Sequence, residues 1–195
     1  MKKFFKNKGD IKELRKNQIL EAALKLFARD SYENTTIENI SKYCGISKGL
    51  VYNYFDSKEN LLENVLNFGL EKILKDFDPD KNGVLEVEEM KYFLERITEI
   101  LIENRDFYKL YFQISLQKQG SEVIKKLINR ISKTFERELI NYFKTNNFEE
   151  PVVEAKLFIS LLDGITFNFV ITQDDKFLMK VKNELIKRYC KKINH

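Results

Sequence analysis

Histidine is almost missing from this 195-residue chain: His195, the last residue, is the only one. That nearly excludes histidine-based acid–base catalysis and histidine zinc sites. Cysteine is scarce too. Cys44 and Cys190 make no disulfide framework, as expected of a protein in a reducing cytoplasm. Two prolines and seven glycines are too few for the turns of an all-β protein or for a disordered linker. No nucleophile elbow, Walker loop or metal-ligand His/Cys spacing occurs, so no enzyme is expected. The apolar stretch Leu157–Leu162 stops at Asp163, far short of the roughly 18 residues that suggest a membrane span. The opening MKKFFKNKGD is basic but has no apolar segment of the kind a secretory signal needs. The expectation is a cytoplasmic protein with no membrane partner.

What is present reads as helix. The composition, 43% hydrophobic and 33% charged, is enough to bury a core in one or two domains. Ile11, Leu14, Ile19, Ala22, Ala23, Leu26 and Phe27 recur on one face of a first helix. Thr35 or Thr36 can cap a short second helix carrying Ile37, Ile40 and Tyr43. Gly45 suits the left-handed end of that helix, and Ser47 can cap a third over 48–55. Ser57 starts a fourth, with Leu61, Leu62, Val65, Leu66 and Leu70 on one side. Further helices are expected at about 87–104, 106–118, 121–146, 151–171 and 175–193, with Pro151 in a first turn. The fold class is therefore all-α.

Charge is unevenly placed. Residues 1–60 hold 12 Lys/Arg against 8 Asp/Glu, while the remainder holds 22 of each, so the whole net charge of +4 lies in the first third. A localised basic excess is the electrostatic footprint of a polyanion partner, and also what a solvated basic tail shows.

Two short helices joined by a glycine-containing turn on that basic segment form a helix-turn-helix candidate. Its second helix must be slim enough to enter a major groove and polar where it meets bases and phosphates. Gly49 keeps bulk away from DNA, Lys48 and Lys58 can neutralise phosphates, Tyr52 and Tyr54 carry hydroxyls on rigid arms, and Asn53 can read a base edge. Ile37, Ile40, Ile46, Leu50, Val51 and Phe55 are expected in the core, with Tyr43 and Cys44 as packing residues.

The run TTIENISKYCGISKGLVYNYFDSKE (Thr35–Glu59) resembles the DNA-binding signature of the TetR family of transcriptional regulators. It has the T-x-x-x-I-(A/S) opening, the G-(V/I)-S-K-G turn, the Y-x-(H/Y)-F recognition helix and the S-K-E start of helix four. Upstream, ILEAALKLFARDSYENTT fits the first helix and its lead-in, so the resemblance covers roughly residues 10–70. It places Thr36, Ser47, Lys48, Gly49, Tyr52, Asn53, Tyr54 and Lys58 at DNA-touching positions. Asn53 falls at a variable position and Tyr54 where His is common, so the operator sequence does not carry over. The resemblance implies an N-terminal three-helix helix-turn-helix domain (1–70, with the motif at about 35–55). It also implies a C-terminal helical bundle (71–195) for dimerisation and ligand binding. The expected protein is a homodimeric repressor of a palindromic double-stranded DNA operator, released by a small-molecule effector.

Twenty-five aromatics, 16 of them Phe, are dense for this length, and the C-terminal half has no phosphate-cradling glycine loop. An apolar or aromatic effector is therefore expected. Tyr111, Phe112, Phe135, Phe158 and Phe167 are pocket candidates, beside Phe107, Tyr108 and Phe169. The apolar 157–171 segment suits a helix buried on most sides, in a dimer contact or a monomeric core.

One motif lies outside this scheme. Residues 78–89 fit the calcium-loop template D-x-[DN]-x-[DN]-G-x5-E at every fixed position. Oxygen ligands for Ca²⁺ would come from Asp78, Asp80, Asn82, the Val84 carbonyl, Glu86 and Glu89, with Gly83 making the sharp turn. The segment looks like a single EF-hand without a second copy. It supports an alternative reading as a calcium-responsive helical protein whose partner is another protein. No cofactor beyond Ca²⁺ is expected.

Overall fold

The computed structural model describes residues 8–74, 77, 82–116 and 135–190, with 8–10 and 72–74 as backbone alone. Every regular element among them is an α-helix. The chain divides into two compact units, Met1–Phe68 and Gly69–His195.

The first unit is built from α1 (Lys8–Asp30), α2 (Ile37–Tyr43), α3 (Lys48–Tyr52) and the start of α4 (Lys58–Leu74). The expected apolar periodicity is what packs it. Ile19, Ala23, Leu26 and Phe27 of α1 are buried, as are Ile37 and Ile40 of α2, Val51 of α3, Phe55, and Leu61, Leu62, Val65 and Leu66 of α4. Each large side chain of this kind stabilises the fold by about 1.5–3 kcal/mol when taken out of water. Five side chains depart from expectation: Ile11 and Leu14, at the start of the apolar face of α1, are exposed. Ile46 and Leu50 are half-buried, and Tyr43, in the last turn of α2, is 54% exposed.

The second unit contains α5 (Val87–Glu103), α6 (Arg105–Ser115), α7 (135–145), α8 (Pro151–Thr172) and α9 (Asp175–Tyr189). Helix α9 lies along α5, while α6 packs against both α5 and α8. Met90, Leu94, Leu139, Phe143 and Phe158 are fully buried in its core. The Tyr142 hydroxyl is buried there and donates to the Tyr189 carbonyl oxygen. Pro151 occupies the first turn of α8, where its missing N–H costs nothing. Gln173 takes the left-handed conformation that ends this helix (φ 55°), and the Asp174 side chain then caps α9 by accepting from the Phe177 N–H at 2.9 Å.

The membrane expectation needs correction at α8. Counting unbroken apolar runs excludes a span, yet the whole 22-residue helix is long and apolar enough to cross a membrane by length and composition. The difference is Asp163, a single charge that breaks a run but barely lowers the mean hydropathy of a helix. In this fold α8 buries Ala155, Phe158, Ile165, Thr166 and Phe169 against its neighbours. Its exposed side is also apolar, with Val153, Leu157, Leu161 and Ile171.

Candidate nucleic-acid interface

Local hydrogen bonding fixes the two short helices. Thr36, not Thr35, caps α2: its hydroxyl oxygen accepts from the Asn39 N–H at 3.1 Å, and Asn39 Oδ1 accepts from the Thr36 N–H at 2.9 Å. This reciprocal pair satisfies two donors that a helix start leaves open. Thr35 is buried, with its hydroxyl 2.8 Å from the Ser31 carbonyl oxygen. Gly45 adopts φ 64°, and the Ile46 N–H donates to the Ser41 carbonyl at 3.0 Å, which closes the turn. Ser47 then caps α3 by accepting from the Leu50 N–H at 3.2 Å.

Helix α3 is shorter than the 48–55 expected from sequence. It ends at Tyr52, and Asn53 is the C-cap, donating to the Gly49 carbonyl at 3.1 Å. The Tyr54 and Phe55 N–H groups both donate to the Val51 carbonyl oxygen, and the Phe55 ring is buried.

The candidate DNA-contact residues divide by exposure. Thr36, Ser47, Lys48, Gly49, Tyr52 and Asn53 are exposed on one unit, Tyr52 to 45%. Tyr54 and Lys58 are half-buried. A Cβ placed on Gly49 would meet no atom within 4 Å, so nothing inside the molecule demands glycine there. Nearby, the Lys42 ammonium lies 2.6 Å from Glu38 and holds its carboxylate below the usual range, with Lys48 adding a smaller effect.

Sequence reading missed Tyr32. Its ring lies under the Lys58 ammonium, 4.3 Å from Nζ to the centroid, and its hydroxyl donates to Glu59 Oε1 at 3.2 Å. Lys58 Nζ also donates to the Glu33 carbonyl oxygen at 3.3 Å. Burial lowers the Lys58 pKa while Glu33 and Glu59 push it back up; burial, with Glu59, raises that of Tyr32. A tyrosine before the second helix gives no local signal of a partner in the fourth.

In the second unit the pocket candidates do not form one set of ring contacts. Tyr111, Phe112 and Phe167 are joined edge to face, at 5.3 and 5.2 Å between centroids. Phe107 stacks on Tyr111 and meets Tyr108 edge to face. Phe135 packs on Phe77 at 4.2 Å, and Phe158 sits against Phe143 and Tyr189. Phe169 lies under the Arg105 guanidinium at 5.4 Å.

Of the calcium-loop residues, Asp78 and Asp80 lie outside the described residues. Gly83 has the expected left-handed φ of 76°, and Asn82 Oδ1 accepts from the Val84 N–H at 2.7 Å. Glu89 is engaged locally: Oε2 accepts from the Glu86 N–H at 3.0 Å, which serves the start of α5. Among the described residues no group of three or more metal-ligating side chains occurs.

A capped helix-turn-helix with an exposed polar face, followed by an all-helical body, defines a DNA-binding regulator. Residues 19–65 match the model of the bacterial regulatory proteins, tetR family. The chain is 26% identical over 190 residues to the HTH-type transcriptional regulator YfiR of Bacillus subtilis, covering 93% of both. It is 27% identical over 152 residues to IcaR of Staphylococcus epidermidis, the negative transcriptional regulator of the biofilm operon icaADBC, covering 75% of this chain and 77% of IcaR. The fold matches a putative fatty acid metabolism regulator from Clostridium perfringens with TM-score 0.71 and 23% identity, over 91% of this chain and 99% of the other. The chain is thus a DNA-binding transcriptional regulator that carries the DNA-binding domain of the tetR family.

Proposed function

We propose that this regulator is a cytoplasmic homodimeric repressor that binds a two-half-site operator and is released by a small apolar or aromatic ligand. Thr36, Ser47, Lys48, Gly49, Tyr52, Asn53, Tyr54 and Lys58 are the proposed DNA contacts. Lys48 and Lys58 supply phosphate neutralisation, which weakens steeply with salt; Tyr52, Asn53 and Tyr54 orient the helix and read base edges. One observation carries the reading: Gly49 is exposed on the recognition helix with open space around it. A glycine in a helix costs about 1 kcal/mol against alanine, so a reason outside the molecule, a closely approaching duplex, accounts for it.

The exposed apolar side of α8 supports pairing of two copies. Two recognition helices related by a dyad roughly double the contact free energy and set the half-site spacing. IcaR is named as a negative regulator, which favours repression here. The aromatic groups around Tyr111–Phe112–Phe167 and around Phe158 support an apolar or aromatic effector. A ligand that binds one state of the second unit more tightly moves the two recognition helices off register. Calcium at 78–89 is a separate proposal, resting on the template and on the turn at Gly83.

The test is Gly49→Ala. We expect a fold equally stable or up to about 1 kcal/mol more stable, with weakened operator binding in a mobility-shift titration. Undiminished binding would remove the close approach of DNA to α3.

A further inference from the structure

The first turn of α4 is tied to the loop between α1 and α2 by three contacts, two to Tyr32 and one to Glu33. The Lys58 ammonium sits over the ring face, the ring's hydroxyl holds Glu59, and the neighbouring Glu33 carbonyl takes a second direction of the ammonium. Tyr32 is itself fixed: its ring meets Phe27 edge to face at 5.2 Å, and Phe27 is fully buried. An ammonium has three N–H donors. One points to the Glu33 oxygen and the ring face takes up a second direction, which leaves one for an incoming oxygen. A lysine on an unrestrained stem must lose rotamer freedom when it meets a phosphate. Here that freedom is already spent.

We propose that Tyr32 is a positioning residue for DNA binding: its ring seats the Lys58 ammonium and its hydroxyl holds Glu59, so that α4 presents Lys58 to a backbone phosphate from a fixed place. The inference rests on the phosphate contact of Lys58 proposed above. Two carboxylate-bearing residues, Glu33 and Glu59, flank the ammonium, so the seat also keeps the cation from collapsing onto either of them. A cation over an aromatic face is favoured by the ring's charge distribution, not only by its shape. That separates positioning from packing.

The experiment is a double-mutant cycle on the full chain, with an operator duplex selected from a randomised pool by the native protein. Anisotropy titrations at several salt concentrations read affinity and salt slope, and thermal melts check folding. Tyr32→Leu is expected to weaken binding about five- to thirtyfold, the range of a cation–ring contact counted over two half-sites. Tyr32→Phe, which keeps the ring, is expected to restore most of that loss. Pentafluorophenylalanine in place of Tyr32 keeps the shape and reverses the ring's face potential, so it should bind like Tyr32→Leu. If Tyr32→Leu melts early, this isosteric pair decides. In a Lys58→Met background none of these changes should matter further. Equal losses with and without Lys58, or no difference between the two isosteric rings, overturns the role of Tyr32. A Lys58→Met variant with native affinity and salt slope overturns the phosphate contact of Lys58, and the positioning role with it.

Discussion

The ring of Phe107 lies where a side chain at position 69 would begin. A Cβ placed on Gly69 would stand 2.7 Å from Phe107 Cε2 and 2.9 Å from Cγ, inside any real carbon–carbon contact. Phe107 has no easy retreat, because it is buried and stacked on Tyr111 at 6.2 Å. Alanine in a helix interior normally gains about 1 kcal/mol over glycine. Here overpacking, typically about 1–3 kcal/mol, is the larger effect. Gly69→Ala is expected to destabilise the chain by about 1 kcal/mol and lower the Tm by a few degrees, read by thermal denaturation. A rise in Tm would show that the ring yields freely.

Much of the first unit was legible because its signals are local. The Thr36 cap, the Gly45 turn, the Ser47 cap and the apolar faces each depend on residues within a few positions. What was not legible depends on chain reversal. Tyr32 meets Lys58 across the loop and α2–α3, and Gly69 meets Phe107 across the whole of α5. The early end of α3 was hidden for another reason: Val51 and Phe55, both buried, stand four residues apart as on one face of a longer helix, yet the regular helix stops at Tyr52. The pocket candidates share one composition signal that does not say which rings meet.

Ser31 stands in the left-handed region with φ 72°, just after α1 ends at Asp30. That conformation costs a residue with a Cβ about 1–2 kcal/mol, and glycine nothing. Glycine's greater freedom in the unfolded chain returns part of the gain. Ser31→Gly is expected to raise stability by about 0.5–1 kcal/mol, measured by urea denaturation. No gain would mean that the weak bond from the Asn34 N–H to the Ser31 hydroxyl, at 3.4 Å, matters more than the strain.

The exposed side of α8 bears on assembly. Leu157 is 55% exposed and Ile171 is 64% exposed, a poor arrangement for a helix that stays in water. Leu157→Asp is expected to convert a dimer to monomer in sedimentation equilibrium and to cut operator affinity by more than tenfold, as one half-site is lost. A native chain that sediments as a monomer would end the dimer reading outright.

Calcium at 78–89 predicts a heat of binding on titration of the native chain with Ca²⁺, abolished in Glu89→Gln. The amide can still accept the Glu86 N–H, so the start of α5 is kept while the bidentate charge goes. Equal heats from the two proteins would discard the site.

The recognition helix holds only five residues. At a rise of 1.5 Å each it spans about 7.5 Å, roughly two base steps along a duplex. So little length cannot encode a long address. In the proposed dimer the target would then be written mostly in the distance and angle between repeated short words, and a few changes near the proposed contacts Tyr52 and Asn53 would redirect the protein while its scaffold stays as it is.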